Sequence, residues 1–212
     1  MKNLPRLPKI IVITIMLFPT AFSLDLNSVR LGQGEVVLDE QFENFDQRTW
    51  NAGPKWGYGN TASHKWVSVN SALTFTGVWG FVFAGSSVWQ DYQVETTIDF
   101  SESTHAGVTL LLRAQDSMGH NYYGIHLNQL GTASFRVVKD KAPARTKQIP
   151  FSGGSIVKLV VGVVSDRITV NIDGKRVANI QDSTFQTGRI GFYVNSGSGV
   201  NAKIEDVKVT RF

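Results

Sequence analysis

Alternation of apolar and polar residues dominates the chain after its first two dozen positions. In DYQVETTIDF, Tyr92, Val94, Thr96, Ile98 and Phe100 fall on one side and Gln93, Glu95, Thr97 and Asp99 on the other. GVTLLLRA sets Val108, Leu110 and Leu112 against Thr109, Leu111 and Arg113, and YYGIHLN sets Tyr123, Ile125 and Leu127 against Tyr122, His126 and Asn128. SFRVV continues with Phe135 and Val137 inward, and GRIGFYVN with Ile190, Phe192 and Val194 inward and Arg189, Tyr193 and Asn195 outward. A period of two is the strand signature. DRITVNIDGKRVANI adds a hairpin, because Asp173-Gly174 between two alternating runs suits a tight turn that needs positive φ.

Two stretches depart from simple alternation. IVKLVVGVV is almost continuously apolar and predicts a central strand covered on both faces. In NAKIEDVKVTRF the apolar parity slips between Ile204 and Val207, which predicts a β-bulge near Glu205-Asp206. No amphipathic helix, internal repeat or linker interrupts the series. KDKAPARTKQIP, basic and with two prolines, reads as a solvated connection. Many short strands with frequent turns imply a sandwich or barrel.

The start of the chain reads differently. Lys2, Arg6 and Lys9 precede an apolar run from Ile10 to Phe18, and Ala21 and Ser23 occupy the −3 and −1 positions of a cleavage site. This predicts a signal peptide over 1–23 and a single domain over 24–212. The run is short beside the roughly 20 residues a membrane span needs, so no membrane anchor is expected after cleavage. The expected location is secreted or periplasmic. The absence of cysteine excludes disulfides and a thiol nucleophile, and fits bacterial-type export.

Cleavage also alters the charge. The chain has 21 Lys and Arg against 17 Asp and Glu, and the segment that is lost takes three basic residues with it. The nearly neutral remainder carries no nucleic-acid footprint.

The order and spacing of KWVSVNSALTFTG, DYQVETTIDF, AGVTLLLRA, NYYGIHLN, DRITVNIDGKRV, TGRIGFYVNSGSG and KIEDVKV resemble the concanavalin A-like jelly-roll superfamily. Laminin G-like sugar-binding modules and the 3-keto-disaccharide hydrolase domain family show the nearest likeness. The resemblance spans roughly Val36 to Val209. It implies an all-β jelly-roll β-sandwich of two curved antiparallel sheets, with the ligand on the concave face. It also implies one structural calcium near the first and last strands, where Glu40, Glu43 and Asp206 are the available acids. An Arg closing the strand GVTLLLRA points into the groove in such families, a role that falls on Arg113.

No catalytic signature accompanies the fold. The Glu-x-Asp-x-x-Glu run of glucanases on this scaffold is absent, as is the Arg-x-Glu-x-Arg of alginate lyases. Glu95 and Asp99 share a strand face but lie roughly 13 to 14 Å apart at about 3.4 Å per residue, too far for a glycosidase pair. There is no Gly-x-Ser-x-Gly elbow, and the four histidines lack zinc-site spacing.

Sugar sites use aromatic faces for stacking and polar side chains for reading hydroxyls. Trp66 and Trp89 fit core positions. Trp56 and Trp79, in GPKWGYG and GVWGF, fit either core or ligand contact. The candidate ligand-binding set is Glu95, Arg113, His126, Tyr122, Tyr193, Trp56 and Trp79, with an oligo- or polysaccharide as partner. Three functional classes stay open. These are a carbohydrate-binding (lectin-like) domain, a glycoside hydrolase or lyase using Glu95, His126 or Tyr122, and a structural or adhesion protein.

Overall fold

The computed structural model describes residues 34–52, 65–77, 79–103, 106–195 and 202–212. The expected signal peptide and Trp56 lie outside the described residues. Among those described there is no helix. The strands β1 (Glu35–Glu40), β2 (Asn51–Ala52), β3 (Lys65–Val69), β4 (Ala72–Thr76) and β5 (Trp79–Ala84) come first. β6 (Tyr92–Asp99), β7 (Gly107–Ala114), β8 (Tyr122–Asn128), β9 (Thr132–Lys139) and β10 (Ala142–Ile149) are next. β11 (Ile156–Val164), β12 (Arg167–Ile172), β13 (Lys175–Gln181), β14 (Arg189–Asn195) and β15 (Lys203–Arg211) complete the series.

They form two antiparallel sheets. The seven-stranded sheet runs β10-β9-β8-β7-β14-β5-β2. The eight-stranded sheet runs β13-β12-β11-β6-β15-β4-β3, with β1 also on β15. β15 can hold three partners because it is long. One side lies along β6, while the other meets β4 at Ile204 and then β1 from Val207 to Arg211.

The inward parities read from sequence become the core. Val108, Leu110, Leu112, Tyr123, Ile125, Leu127, Phe135, Phe192 and Val194 of one sheet meet Val94, Ile98, Val157, Leu159, Ile168 and Val209 of the other. Each such side chain contributes about 1.5–3 kcal/mol when fully buried. Trp66 and Trp89 join this core. The hairpin at Asp173-Gly174 forms as predicted, with φ of +50° and +77° and Ile172 opposite Lys175. The predicted bulge also forms, where the register of β15 against β6 shifts between Ile204 and Asp206.

Three expectations need correction. IVKLVVGVV becomes β11, but its outer face is covered only in part, since Ile156 and Lys158 are exposed and Val160 and Val164 half-buried. KDKAPARTKQIP is the end of β9, a two-residue turn at Asp140-Lys141, and the strand β10. β10 is exposed nearly throughout and ends the sheet. Proline and cations are what an unpaired edge carries to discourage further pairing. The third correction concerns Arg113. Its register against β14 breaks there, its φ is +47°, and the extra residue turns its side chain inward.

Candidate functional site

The core lies between the sheets, so a ligand face must be an outer one. The two outer faces differ. That of the eight-stranded sheet alternates charges and small polar groups, such as Glu95 opposite Lys208. That of the seven-stranded sheet carries a second apolar cluster of Phe83, Leu111, Ala114, Tyr122 and Val138, with Phe81 and Tyr193 packed on it.

Register turns this face into a grid. Phe81, Tyr193, Thr109, His126 and Ser134 stand opposite one another in one row across β5, β14, β7, β8 and β9. The row to one side holds Trp79, Asn195, Gly107, Asn128 and Thr132. The row to the other holds Phe83, Gly191, Leu111, Gly124 and Arg136. The period of two lifts all these side chains to the same side.

The rings pack on one another. Phe81 stacks on Tyr193 with centroids 4.5 Å apart and lies nearly parallel to Phe83 at 6.0 Å. Tyr122 and Trp79 each meet Phe81 edge-on at 6.5 Å. Glycine keeps the surface low. A Cβ at Gly107 would lie 2.8 Å from His126 Cε1, and one at Gly124 would lie 3.1 Å from Tyr122 Cε2. Both rings therefore lie over bare backbone. The β7–β8 loop closes one border, with Gly119 against the Phe81 ring.

Polar groups thread the rings. Thr109 Oγ1 is 3.0 Å from His126 Nδ1, and Arg136 Nε donates to Ser134 Oγ at 3.2 Å. Burial, with the Arg136 charge adding to it, pushes His126 down to about 4, so its imidazole is neutral near pH 7. Burial pushes the Tyr122 phenol up to about 12, with Tyr193 adding and Arg136 opposing. Tyr193 is raised as well, mainly by burial, against a hydrogen bond with Asn195.

The candidate residues thus separate. His126, Tyr122, Tyr193 and Trp79 come together on this face. Tyr122 is more enclosed than its outward parity implied, at 8% exposure. Glu95 lies on the other sheet, where its carboxylate accepts from Gln93 Nε2. Glu95 and Arg113, both in the candidate set, do not share a face, since β6 and β7 belong to different sheets.

Arg113 is 1% exposed. Its Nη1 donates to the Phe185 carbonyl at 2.8 Å, Nη2 and Nε to the Gln90 carbonyl at 2.9 and 3.3 Å, and its backbone N–H to Tyr92 Oη at 2.8 Å. The groove role assigned to it by resemblance is replaced by a structural one. Phe81, Thr109 and Arg136 were not singled out from sequence. The alternation of SFRVV, with Phe135 and Val137 inward, leaves Arg136 outward, whereas Phe81 was given no face from sequence.

The acids expected to hold calcium do not fit it. Asp206 Oδ1 accepts from Thr97 N at 2.8 Å and Oδ2 from Thr97 Oγ1 at 2.9 Å, so the carboxylate caps the bulge. Glu40 Oε1 accepts from Phe42 N at 3.2 Å, and Glu43 is exposed. Among the described residues no three His, Asp or Glu side chains converge on a point, far from the six to eight oxygens calcium takes.

The fold is an all-β jelly-roll sandwich of two antiparallel sheets. The chain is similar in structure to the CBM66 carbohydrate-binding module from Bacillus subtilis, at 16% identity and TM-score 0.57, over 73% of this chain and 95% of that one. It is similar to a β-glucanase from Bacillus licheniformis, at 12% identity and TM-score 0.63, over 84% and 99%. A protein of unknown function with a galectin-like fold, also from Bacillus subtilis, gives 13% identity and TM-score 0.60 over 84% and 97%. No family model and no curated protein matches the sequence.

Proposed function

We propose that this protein is an exported carbohydrate-binding domain that holds an extended glycan on the outer face of its seven-stranded sheet. One observation carries the reading. A low platform of Trp79, Phe81 and Tyr193, with Tyr122 enclosed beside Phe81, is interleaved with hydrogen-bonding side chains, on a sheet none of whose strands contains Asp or Glu. Aromatic faces suit the apolar CH face of a sugar ring, and the half-buried His126 and Asn128 supply donors and acceptors for hydroxyls, with Thr109 and Ser134 buried beneath as partners of His126 and Arg136. The folds of the carbohydrate-binding module and the glucanase support a glycan as the partner class.

The composition of the sheet weighs against cleavage. Glycoside hydrolysis ordinarily needs two carboxyl groups flanking the bond. The sequences of 53–64, 104–105 and 196–201 add none, being GPKWGYGNTASH, TH and SGSGVN. The one acid in the β7–β8 loop, Asp116, accepts from the Met118 and His120 amides. His126 and Tyr122 titrate far from neutrality in opposite directions, whereas an efficient acid or base titrates near the working pH.

The test is a glycan array followed by calorimetric titration of wild type, Tyr193→Ala and Trp79→Ala. Weakening by either variant with the melting temperature kept supports the platform. Full affinity in both folded variants overturns it. Reducing ends or ultraviolet-absorbing products on incubation with the bound glycan would return the hydrolase or lyase reading. Export is tested by N-terminal sequencing of the mature protein, expected to begin at Leu24.

A further inference from the structure

The two sheets differ in the balance of their charge as well as in their surface. The seven-stranded sheet has Arg113, Arg136, Lys139, Arg145, Lys147 and Arg189 in its strands and no acid. The eight-stranded sheet mixes both signs, with Asp or Glu in β1, β6 and β15. Two of the six cations are neutralised from outside their sheet, Arg113 by Asp91 and Arg145 by Asp182. The other four make no ion pair among the described residues.

Of these four, Arg136 stands within the aromatic grid. It lies opposite Gly124 on one side and Thr146 on the other, neither with a bulky side chain, and the Tyr122 ring lies over Gly124 beside it. Its side chain is half-buried, and its charge is felt by His126, Tyr122 and Tyr193 alike. Among the described residues only Ser134 Oγ takes one of its five donors. With no carboxylate partner among the described residues, this guanidinium keeps donors for an incoming acceptor. A planar guanidinium fork matches a carboxylate or sulfate in two parallel hydrogen bonds, and the partly apolar surroundings strengthen them.

We propose that the ligand of this face is an anionic glycan bearing carboxylate or sulfate groups, and that Arg136 is the residue that reads its charge. This rests on the glycan-binding reading and narrows it. The rings would hold the sugar backbone, while Arg136 would select chains with an acidic group at that row of the grid. His126 adds no charge near pH 7 and serves as a hydrogen-bonding neighbour.

The experiment compares charged and uncharged forms of the same backbone by calorimetric titration of the purified protein. One arm uses polygalacturonate and its methyl ester; the other uses a sulfated galactan and its desulfated form. The expected result is binding of a charged form roughly tenfold to a hundredfold tighter than its neutral counterpart, the range for charged hydrogen bonds. The arm in which this occurs identifies the anion. Arg136→Gln should remove the preference and Arg136→Lys should keep part of it, with melting temperatures showing that both fold.

Equal affinity of wild type for charged and neutral forms in both arms would overturn the assignment. So would a preference that persists in folded Arg136→Gln. Either outcome leaves the platform standing if Tyr193→Ala still weakens binding. Binding to no glycan of any kind, on the array or in either arm, overturns the platform as well.

Discussion

Removing the Arg113 side chain should destabilise the fold strongly and leave the ligand face alone. The guanidinium joins the segment before β6, through the Gln90 carbonyl, to the connection between β13 and β14, through the Phe185 carbonyl. Asp91 stands 3.6 Å away but is partly solvated, so little of the effect is assigned to it. In Arg113→Met two carbonyls lose charged donors where water has poor access. Each such loss costs about 1–3 kcal/mol, and breaking a buried charged network costs about 3–5 kcal/mol in all. A chain of this size loses about 2–4 °C of melting temperature per kcal/mol, so a fall of roughly 6–20 °C is expected. Arg113→Lys should recover only part, because one ammonium cannot reproduce donors spread over a fork. Thermal denaturation followed by circular dichroism measures the fall, and titration at low temperature measures binding. A loss below about 3 °C, or a folded Arg113→Met with weakened glycan binding, would refute the structural assignment.

Two further predictions concern stability. Between pH 6.5 and about 4 the unfolded chain binds a proton that folded His126 does not, so stability should fall as the pH drops through that window; the loss reaches roughly 3 kcal/mol, and His126→Gln should flatten this part of the profile in urea titrations. Asp206→Ala should cost about 1–3 kcal/mol by stripping the bulge of its two bonds to Thr97; the same loss is expected in EDTA and in calcium, and a wild-type melting curve that shifts between the two would refute the capping role.

Much of this architecture was legible along the chain. Alternation fixed which side chains of β6, β7, β8, β9 and β14 enter the core, because strand geometry sends successive residues to opposite faces whatever the neighbours are. The Asp173-Gly174 turn and the bulge before Asp206 were legible for the same reason, as each is a local break in that period. His126, Tyr122 and Tyr193 could be placed outward, Trp79 stayed open between core and ligand contact, and the outward parity of Arg136 was available too.

Parity, however, does not say which strands are neighbours. β6 and β7 are consecutive, yet the chain crosses between sheets there, so Glu95 and His126 face opposite ways. Arg113 was misplaced by one bulge, since a single extra residue at positive φ reverses the face to which the side chain projects, and nothing in GVTLLLRA marks it. The concentration of cations without acids on one sheet emerges only when β2, β5, β7, β8, β9, β10 and β14 are laid side by side. Pairing over long sequence separations decides that set, because it is chosen by the packing of two apolar faces against each other, and no local pattern encodes it.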